Sequence, residues 1–294
     1  MKLNKTIKKK RCSPYAEDVK INDKSCLSGT VMQKIKKSYN KKNPNRRITH
    51  RNPNKIWKEL TSLKPKCETE LCWLNEIENK QTRDEIVKEF YAPNKPMEWK
   101  ENPNEWLSNY DILDVINQYE KIHKNFKFFG PTPINFNSPD MNYKDKCVWE
   151  ELCNFNLENH INNGINKMGV VFNLSKQGES GSHWVSLFID INNKMIFYFD
   201  SNGDSCPNEI KELINTVKNQ GLKKKIIFKE IYNTFEHQQS NTECGMYSLY
   251  FIITMLTEKI NNKKKSMRTI IHHFTKNRIP DDLVFKHRNL YFNE

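Results

Sequence analysis

The sequence predicts an α+β protein, and three observations carry that prediction. Residues 104–122 repeat apolar side chains at three- and four-residue intervals. Past residue 165 the apolar runs become short, β-branched and aromatic, as strands require. Residues 245–258 are then apolar nearly all round, the pattern of a helix buried in a core. Length and composition permit such a core, since 294 residues include 16 Phe, 11 Tyr and 6 Trp to pack. A fully disordered chain is excluded, and 9 Gly with 12 Pro exclude collagen-like and low-complexity classes.

From the N-terminus, charge is the first signal. Residues 1–66 carry 20 Lys and Arg against 4 Asp and Glu, a net +16; the other 228 carry 28 against 31, a net −3. Charge of one sign on one segment points to an anionic partner, either nucleic acid (non-specifically DNA) or acidic stretches of core proteins, or else to a solvated tail. Basic clusters with few apolar positions, and Asn-Pro at 43–44 and 53–54, predict a partly flexible arm over 1–66, with a short helix near 28–39. Residues 55–92 have apolar spacing for two or three short helices, and 67–103 read as a helical connecting segment.

The remaining residues, 104–294, form the expected main domain. A helix starts from Asn104, with Trp106, Leu107, Ile112, Leu113, Val115, Ile116, Tyr119 and Ile122 recurring at three- and four-residue intervals, and should bury one face; Phe126–Pro133 ends it. Met168–Leu174, Trp184–Asp190 and Met195–Asp200 read as strands, the latter two a hairpin through Asn192-Asn193. Pro207–Lys218 suits a helix with Pro near its start, and Ile226–Ile231 suits another strand.

Eight cysteines stand at 12, 26, 67, 72, 147, 153, 206 and 244. MKLNKTIKKK has no apolar stretch behind its charges, so no secretory signal is expected and thiols are expected rather than a disulfide framework. Cys67-x4-Cys72 and Cys147-x5-Cys153 lack the spacing of zinc knuckles, so no metal is expected. The longest apolar run, Met246–Leu256, is too short to span a bilayer, and no membrane contact is expected.

Chemistry concentrates in Ser182–Tyr247. His183 stands just before one strand, and Asp200 ends the next, seventeen residues later. A hairpin can bring the carboxylate back to the imidazole. Cys244 stands at the N-terminus of the buried helix, where the dipole and free N–H groups favour a thiolate. Thiolate, imidazole and orienting carboxylate are the parts of an acyl-transfer nucleophile. Gln238 could offer a side-chain N–H to a developing oxyanion, beside the Cys244 backbone N–H. Taken singly, each residue has a bland reading: a surface or core histidine, a packed thiol, a turn at Asp200-Ser201-Asn202-Gly203. Their order and spacing together carry the argument.

His183-Trp184, Asp200-Ser201, Gln238 and Cys244-Gly245, at intervals of seventeen and six residues, resemble the ubiquitin-like-protein (SUMO) proteases. Trp106-Leu107 before an amphipathic helix is similar to that family too, and the likeness covers roughly residues 104–294. The resemblance implies the adenovirus-protease-like, papain-related fold, a mixed sheet with a buried helix carrying the nucleophile. It also implies cysteine-type endopeptidase activity without a cofactor, and Trp184 packing beside the catalytic pair as one wall of the substrate channel. Glu243 stands where the eukaryotic members usually have Asp. Thr242-Glu243-Cys244-Gly245, Ser25-Cys26-Leu27-Ser28 and Lys127-Phe128-Phe129 look like the protease of asfarvirus-type large DNA viruses. That branch implies cleavage of viral structural polyproteins after Gly-Gly-type sites, in the virion and at the assembly site in the host cytoplasm.

Several alternatives stand beside these readings. Gln239 rivals Gln238 for the oxyanion, and Asn241 is a candidate polar contact to substrate. Asp190 rivals Asp200, but sits seven residues from His183 and suits the cap of the hairpin turn better. For function, the alternatives are deconjugation of SUMO-like modifiers, a related acetyltransferase chemistry, and a basic nucleic-acid-binding virion component with an inactive protease fold.

Overall fold

Sequence distance is a poor guide to which segments share a core in this chain. In the computed structural model, which describes residues 7–143 and 145–294, the chain divides into two compact units: residues 1–95 with 289–294, and residues 96–288. The first six residues of the basic arm lie outside the described residues.

The smaller unit is helical and includes most of the arm. Its helices are α1 (Pro14–Val19), α2 (Gly29–Lys42), α3 (Pro53–Leu63) and α4 (Lys80–Phe90), with a 3₁₀ segment at Glu70–Glu76. Ser13, Ser28, Asn52 and Asn79 cap the four helices by accepting first-turn N–H groups. Val31, Met32, Ile35 and Tyr39 of α2 join Ile56, Leu60, Trp73, Leu74 and Phe90 in one core. The expected flexible arm ending at residue 66 and connector at 67–103 differ from this arrangement. The few apolar side chains among the lysines of α2 recur at helical spacing, and their partners come from α3 and from beyond residue 66. A buried carboxylate centres the unit: Glu70 accepts from Ser25 Oγ (2.7 Å), Cys26 N (2.6 Å), Tyr91 Oη (3.0 Å) and Trp57 Nε1 (3.2 Å). Four donors offset the cost of withdrawing that group from water.

Cysteine pairing corrects the expectation of free thiols. Cys12–Cys26, Cys67–Cys72 and Cys147–Cys153 are disulfides, with Cα–Cα separations of 5.1, 5.5 and 6.5 Å. Cys206 and Cys244 are free. The expectation rested on compartment, which says nothing about which cysteines the fold brings within bonding distance.

The larger unit is built on a mixed five-stranded sheet in sequence order: β1 (Phe126–Pro133), β2 (Lys167–Asn173), β3 (Trp184–Asp190), β4 (Met195–Phe199) and β5 (Lys229–Tyr232). β1 runs parallel to β2 and β4 to β5, whereas β2–β3 and β3–β4 are antiparallel. β1 was expected only to terminate the preceding helix. Gly130-Pro131 reads as a breaker, yet an edge strand tolerates proline, and the register shifts between Phe129 and Thr132 to accommodate it.

Helices cover the sheet on both faces. α5 (Asn109–Ile122), capped by Ser108 and Asp111 in a reciprocal box, lies ahead of β1. Short α6 (Glu150–Cys153) and α7 (Leu157–Asn162) precede β2, and α8 (Asn208–Lys223) packs Ile210, Leu213 and Val217 near Val185, Leu187 and Ile189. On the opposite face lies α9 (Cys244–Thr257), where Phe251 meets Phe197 and Phe199 at 5.0 and 4.8 Å between ring centroids. Every residue of β3 is therefore buried. A two-strand ribbon, β6 (Lys259–Ile260) and β7 (Lys263–Lys264), leads to α10 (Met267–Thr275) and α11 (Asp281–Tyr291). Among the described residues no helix is long and apolar enough to cross a membrane.

Candidate active site

Three separated segments meet where the sheet ends beside the start of α9. His183 immediately precedes β3, and Asp200 immediately follows β4; their pairing register brings the two strand ends together. His183 Nε2 lies 2.7 Å from Asp200 Oδ1. Cys244 also interacts with the imidazole and favours its protonated form. Burial alone would lower the His183 pKa, but the hydrogen bond and charge of Asp200 and the interaction with Cys244 outweigh burial and raise it to about 10. An imidazolium beside the sulfur is thus favoured at neutral pH. Cys244 is the first residue of α9, so its backbone N–H has no acceptor within the helix and the positive end of the helix dipole faces the sulfur.

Asp200 is held from behind. Its backbone N–H donates to Asn233 Oδ1 (2.8 Å), while Asn233 Nδ2 donates to its carbonyl (2.6 Å). Asn202 N–H reaches Oδ1 at 2.9 Å, and the turn closes through Gly203 at φ +76°. A Cβ on Gly203 would lie 2.8 Å from the Phe235 carbonyl carbon, so the turn needs glycine twice over. Among the described residues Asp200 Oδ2 and the Tyr198 hydroxyl are buried without a hydrogen-bond partner, and burial and the Asp200 charge push the Tyr198 pKa up.

Gln238 is also fixed by this turn. Ser201 Oγ donates to Gln238 Oε1 (3.0 Å), which defines the amide orientation, and Nε2 donates to the Ser240 carbonyl (2.6 Å). An amide nitrogen has two hydrogens, so one remains for a second acceptor.

Residues 170–281 match the Ulp1 protease family, C-terminal catalytic domain. Over that stretch the chain is similar to a cysteine-peptidase catalytic domain. A protein of Acanthamoeba polyphaga mimivirus assigned as a thiol protease is 40% identical over 157 residues, covering 52% of this chain and 48% of that protein. The chain thus spans about half the length of that relative. The SUMO-1 cysteine protease of African swine fever virus is 29% identical over 261 residues, covering 81% of this chain and 89% of that protein. A crystal structure of the ASFV pS273R protease superimposes with a TM-score of 0.62 at 22% identity, over 98% of this chain and 97% of that one. The α+β fold with its mixed sheet is therefore that of a viral cysteine protease.

Around the His183–Asp200–Cys244 centre the other sequence candidates fall differently. Trp184 is buried, donates Nε1–H to the Leu107 carbonyl (3.1 Å) and packs against Gly245, where a Cβ would meet Leu107 Cβ at 3.1 Å and Trp184 Cδ1 at 3.3 Å. Asn241 is exposed in the loop before α9. Gln239 is exposed, its backbone N–H directed to Asp281 at 3.1 Å, whereas Gln238 is buried. Asp190 caps the β3–β4 turn, accepting from Asn193 N (2.8 Å) and Nδ2 (2.9 Å).

Three contributors to the site escaped the sequence reading. Asn233 supports Asp200 as described. Asp281 accepts from Ser240 N (2.9 Å) and Tyr247 Oη (2.9 Å), tying the loop before the nucleophile to α9. Arg288 forms a two-pronged pair with Glu243, the residue before Cys244, at 2.7 and 3.1 Å; both are buried. Its other nitrogen donates to the Pro103 and Glu105 carbonyls, and the guanidinium lies 4.2 Å from the Trp99 ring centroid. None of these shows a spacing that links it to the site; only the arginine could have been sought, as a partner for an acid beside the cysteine.

Proposed function

We propose that the chain is a cysteine endopeptidase that cuts viral structural polyproteins after Gly-Gly-type sites, acting in the virion and at the assembly site in the host cytoplasm. One observation carries the chemistry: His183 is hydrogen-bonded to Asp200 and interacts with Cys244, which stands at a helix N-terminus. The viral sources of the relatives support the setting.

In the reaction, the Cys244 thiolate attacks the glycyl carbonyl carbon. Charge gathers on the carbonyl oxygen, which the Cys244 backbone N–H and the second Gln238 Nε2 hydrogen hold. The His183 imidazolium gives its proton to the departing amine, leaving a thioester. Neutral His183 then takes a proton from water, whose oxygen attacks the thioester; cleavage returns the thiolate and imidazolium. Asp200 fixes the tautomer and orientation throughout. Trp184 seated against Gly245 narrows the approach to Cys244, and Asn241 offers a polar contact to the substrate backbone.

A peptide carrying Gly-Gly at the cut should be cleaved by the native chain and left intact by Cys244→Ala. Valine at the second glycine should lower turnover by ~100-fold, because a small positioning fault costs that much. Equal cleavage by Cys244→Ala would overturn the assignment. The printed name of the African swine fever virus relative favours a second reading, deconjugation of SUMO-like modifiers. Assaying a SUMO conjugate beside a viral core precursor separates the two: cleavage of the conjugate alone would replace the polyprotein reading.

A further inference from the structure

The smaller unit turns a charge excess into a surface of defined shape. Between Lys24 and Lys58 the chain contains no Asp or Glu. Within that stretch α2 buries Val31, Met32, Ile35 and Tyr39, which leaves Lys34, Lys37 and Lys41 exposed along one ridge. At 1.5 Å per residue these span ~10 Å.

Residues 46–51 return beside the helix in the opposite direction. Ile48 is bound at both backbone groups by the Asn40 side chain (2.7 and 2.9 Å). Lys36 Nζ donates to the His50 carbonyl (2.6 Å), and Gln33 Nε2 to the Arg51 carbonyl (2.6 Å). This strap is therefore fixed by its backbone, while the side chains of Arg46, Arg47 and Arg51 stay exposed. Among the described residues Lys41 pairs with Glu78 (3.2 Å). Lys34, Lys37, Arg46, Arg47 and Arg51 enter no ion pair among them. Apart from Lys41, the two rows of cations, one on a helix and one on a pinned strap, lack internal neutralisation among the described residues.

We propose that this surface binds the phosphate backbone of duplex DNA without reading its sequence. Paired rows of fixed cations match a double row of phosphates better than a single flexible strand. Tyr39, the aromatic residue of α2, is buried, and Trp57 donates its indole N–H to Glu70, so neither is presented for stacking on unpaired bases. Contacts to phosphate release condensed counterions, which makes the binding steeply salt-dependent.

The test uses the full-length chain, a fluorescent 24-base-pair duplex of arbitrary sequence, and anisotropy from 50 to 200 mM salt. With four to five phosphates neutralised, the log–log slope should be about −4, a loss of roughly 250-fold over that range. The triple variant Lys37→Glu, Arg47→Glu, Arg51→Glu should bind at least ~30-fold more weakly with a shallower slope, while its Tm and its peptide cleavage match the native chain. Native-like duplex binding by that folded variant would overturn the proposal, as would an affinity indifferent to salt. Tighter binding of a single strand, of polyglutamate or of anionic vesicles than of the duplex would replace it with another partner. Peptide cleavage is read separately, so failure here leaves the protease reading intact, and the reverse also holds.

Discussion

Asp200 presents one carboxylate oxygen to His183 and buries the other, and the protonation behaviour of the site follows from that asymmetry. Burial lowers the His183 pKa, but the Asp200 and Cys244 interactions prevail and hold it near 10. The raised value means that the imidazolium persists through neutral pH and is lost as pH rises through about 10. The rate kcat/KM should therefore keep its alkaline limb near 10. In Asp200→Asn that limb should move toward the ordinary histidine range, with kcat falling roughly 10³-fold as the support of the tautomer is lost. A pH–rate profile of the two proteins checks this, and an unmoved limb would separate Asp200 from the proton on His183. At this scale the sequence was informative where spacing along one hairpin and one helix start defines the group, as for His183, Asp200 and Cys244. It was silent for Asn233 and Asp281, whose roles depend on loops that close only in the fold.

At the level of elements, α9 joins nucleophile and core in one segment, and its start is secured from the far end of the chain. Glu243 and Arg288 are 45 residues apart and both 3% exposed by side chain. Burial raises the Glu243 pKa even against the opposing pull of Arg288, so removing the guanidinium would strand a buried acid. Arg288→Met should cost about 3–5 kcal/mol, which for a unit of this size is a Tm fall of roughly 10 °C. Adding Glu243→Met should recover much of that loss, because a buried pair replaced by apolar groups of similar size is often neutral. Thermal melts of the single and double variants check the prediction; a neutral single variant would contradict it. α5, α8, α9 and the β3–β4 hairpin were legible because their apolar periods are long and unbroken. β1 was not, since Gly130-Pro131 interrupts it and its partner β2 starts 41 residues after it in sequence.

Across the whole molecule, eight cysteines of one residue type sit in three physical situations. Six are closed in disulfides. Cys206 is a buried thiol whose pKa burial pushes up to about 12. Cys244 alone faces an imidazolium at a helix start. Composition could not sort them, because pairing depends on Cα positions and reactivity on local charge. The arm was obscured for a related reason: its lysines dominate the sequence, while the side chains that fold it are few and find part of their partners after residue 66. The central claim, that His183 activates Cys244, is tested most directly by iodoacetamide labelling of the native chain without reductant, followed by site-resolved mass spectrometry. A single fast adduct is expected, at Cys244, slowed at least ~100-fold in His183→Ala, with Cys206 unlabelled on the same timescale. Equal labelling of Cys206 and Cys244, or an unchanged rate in His183→Ala, would contradict it.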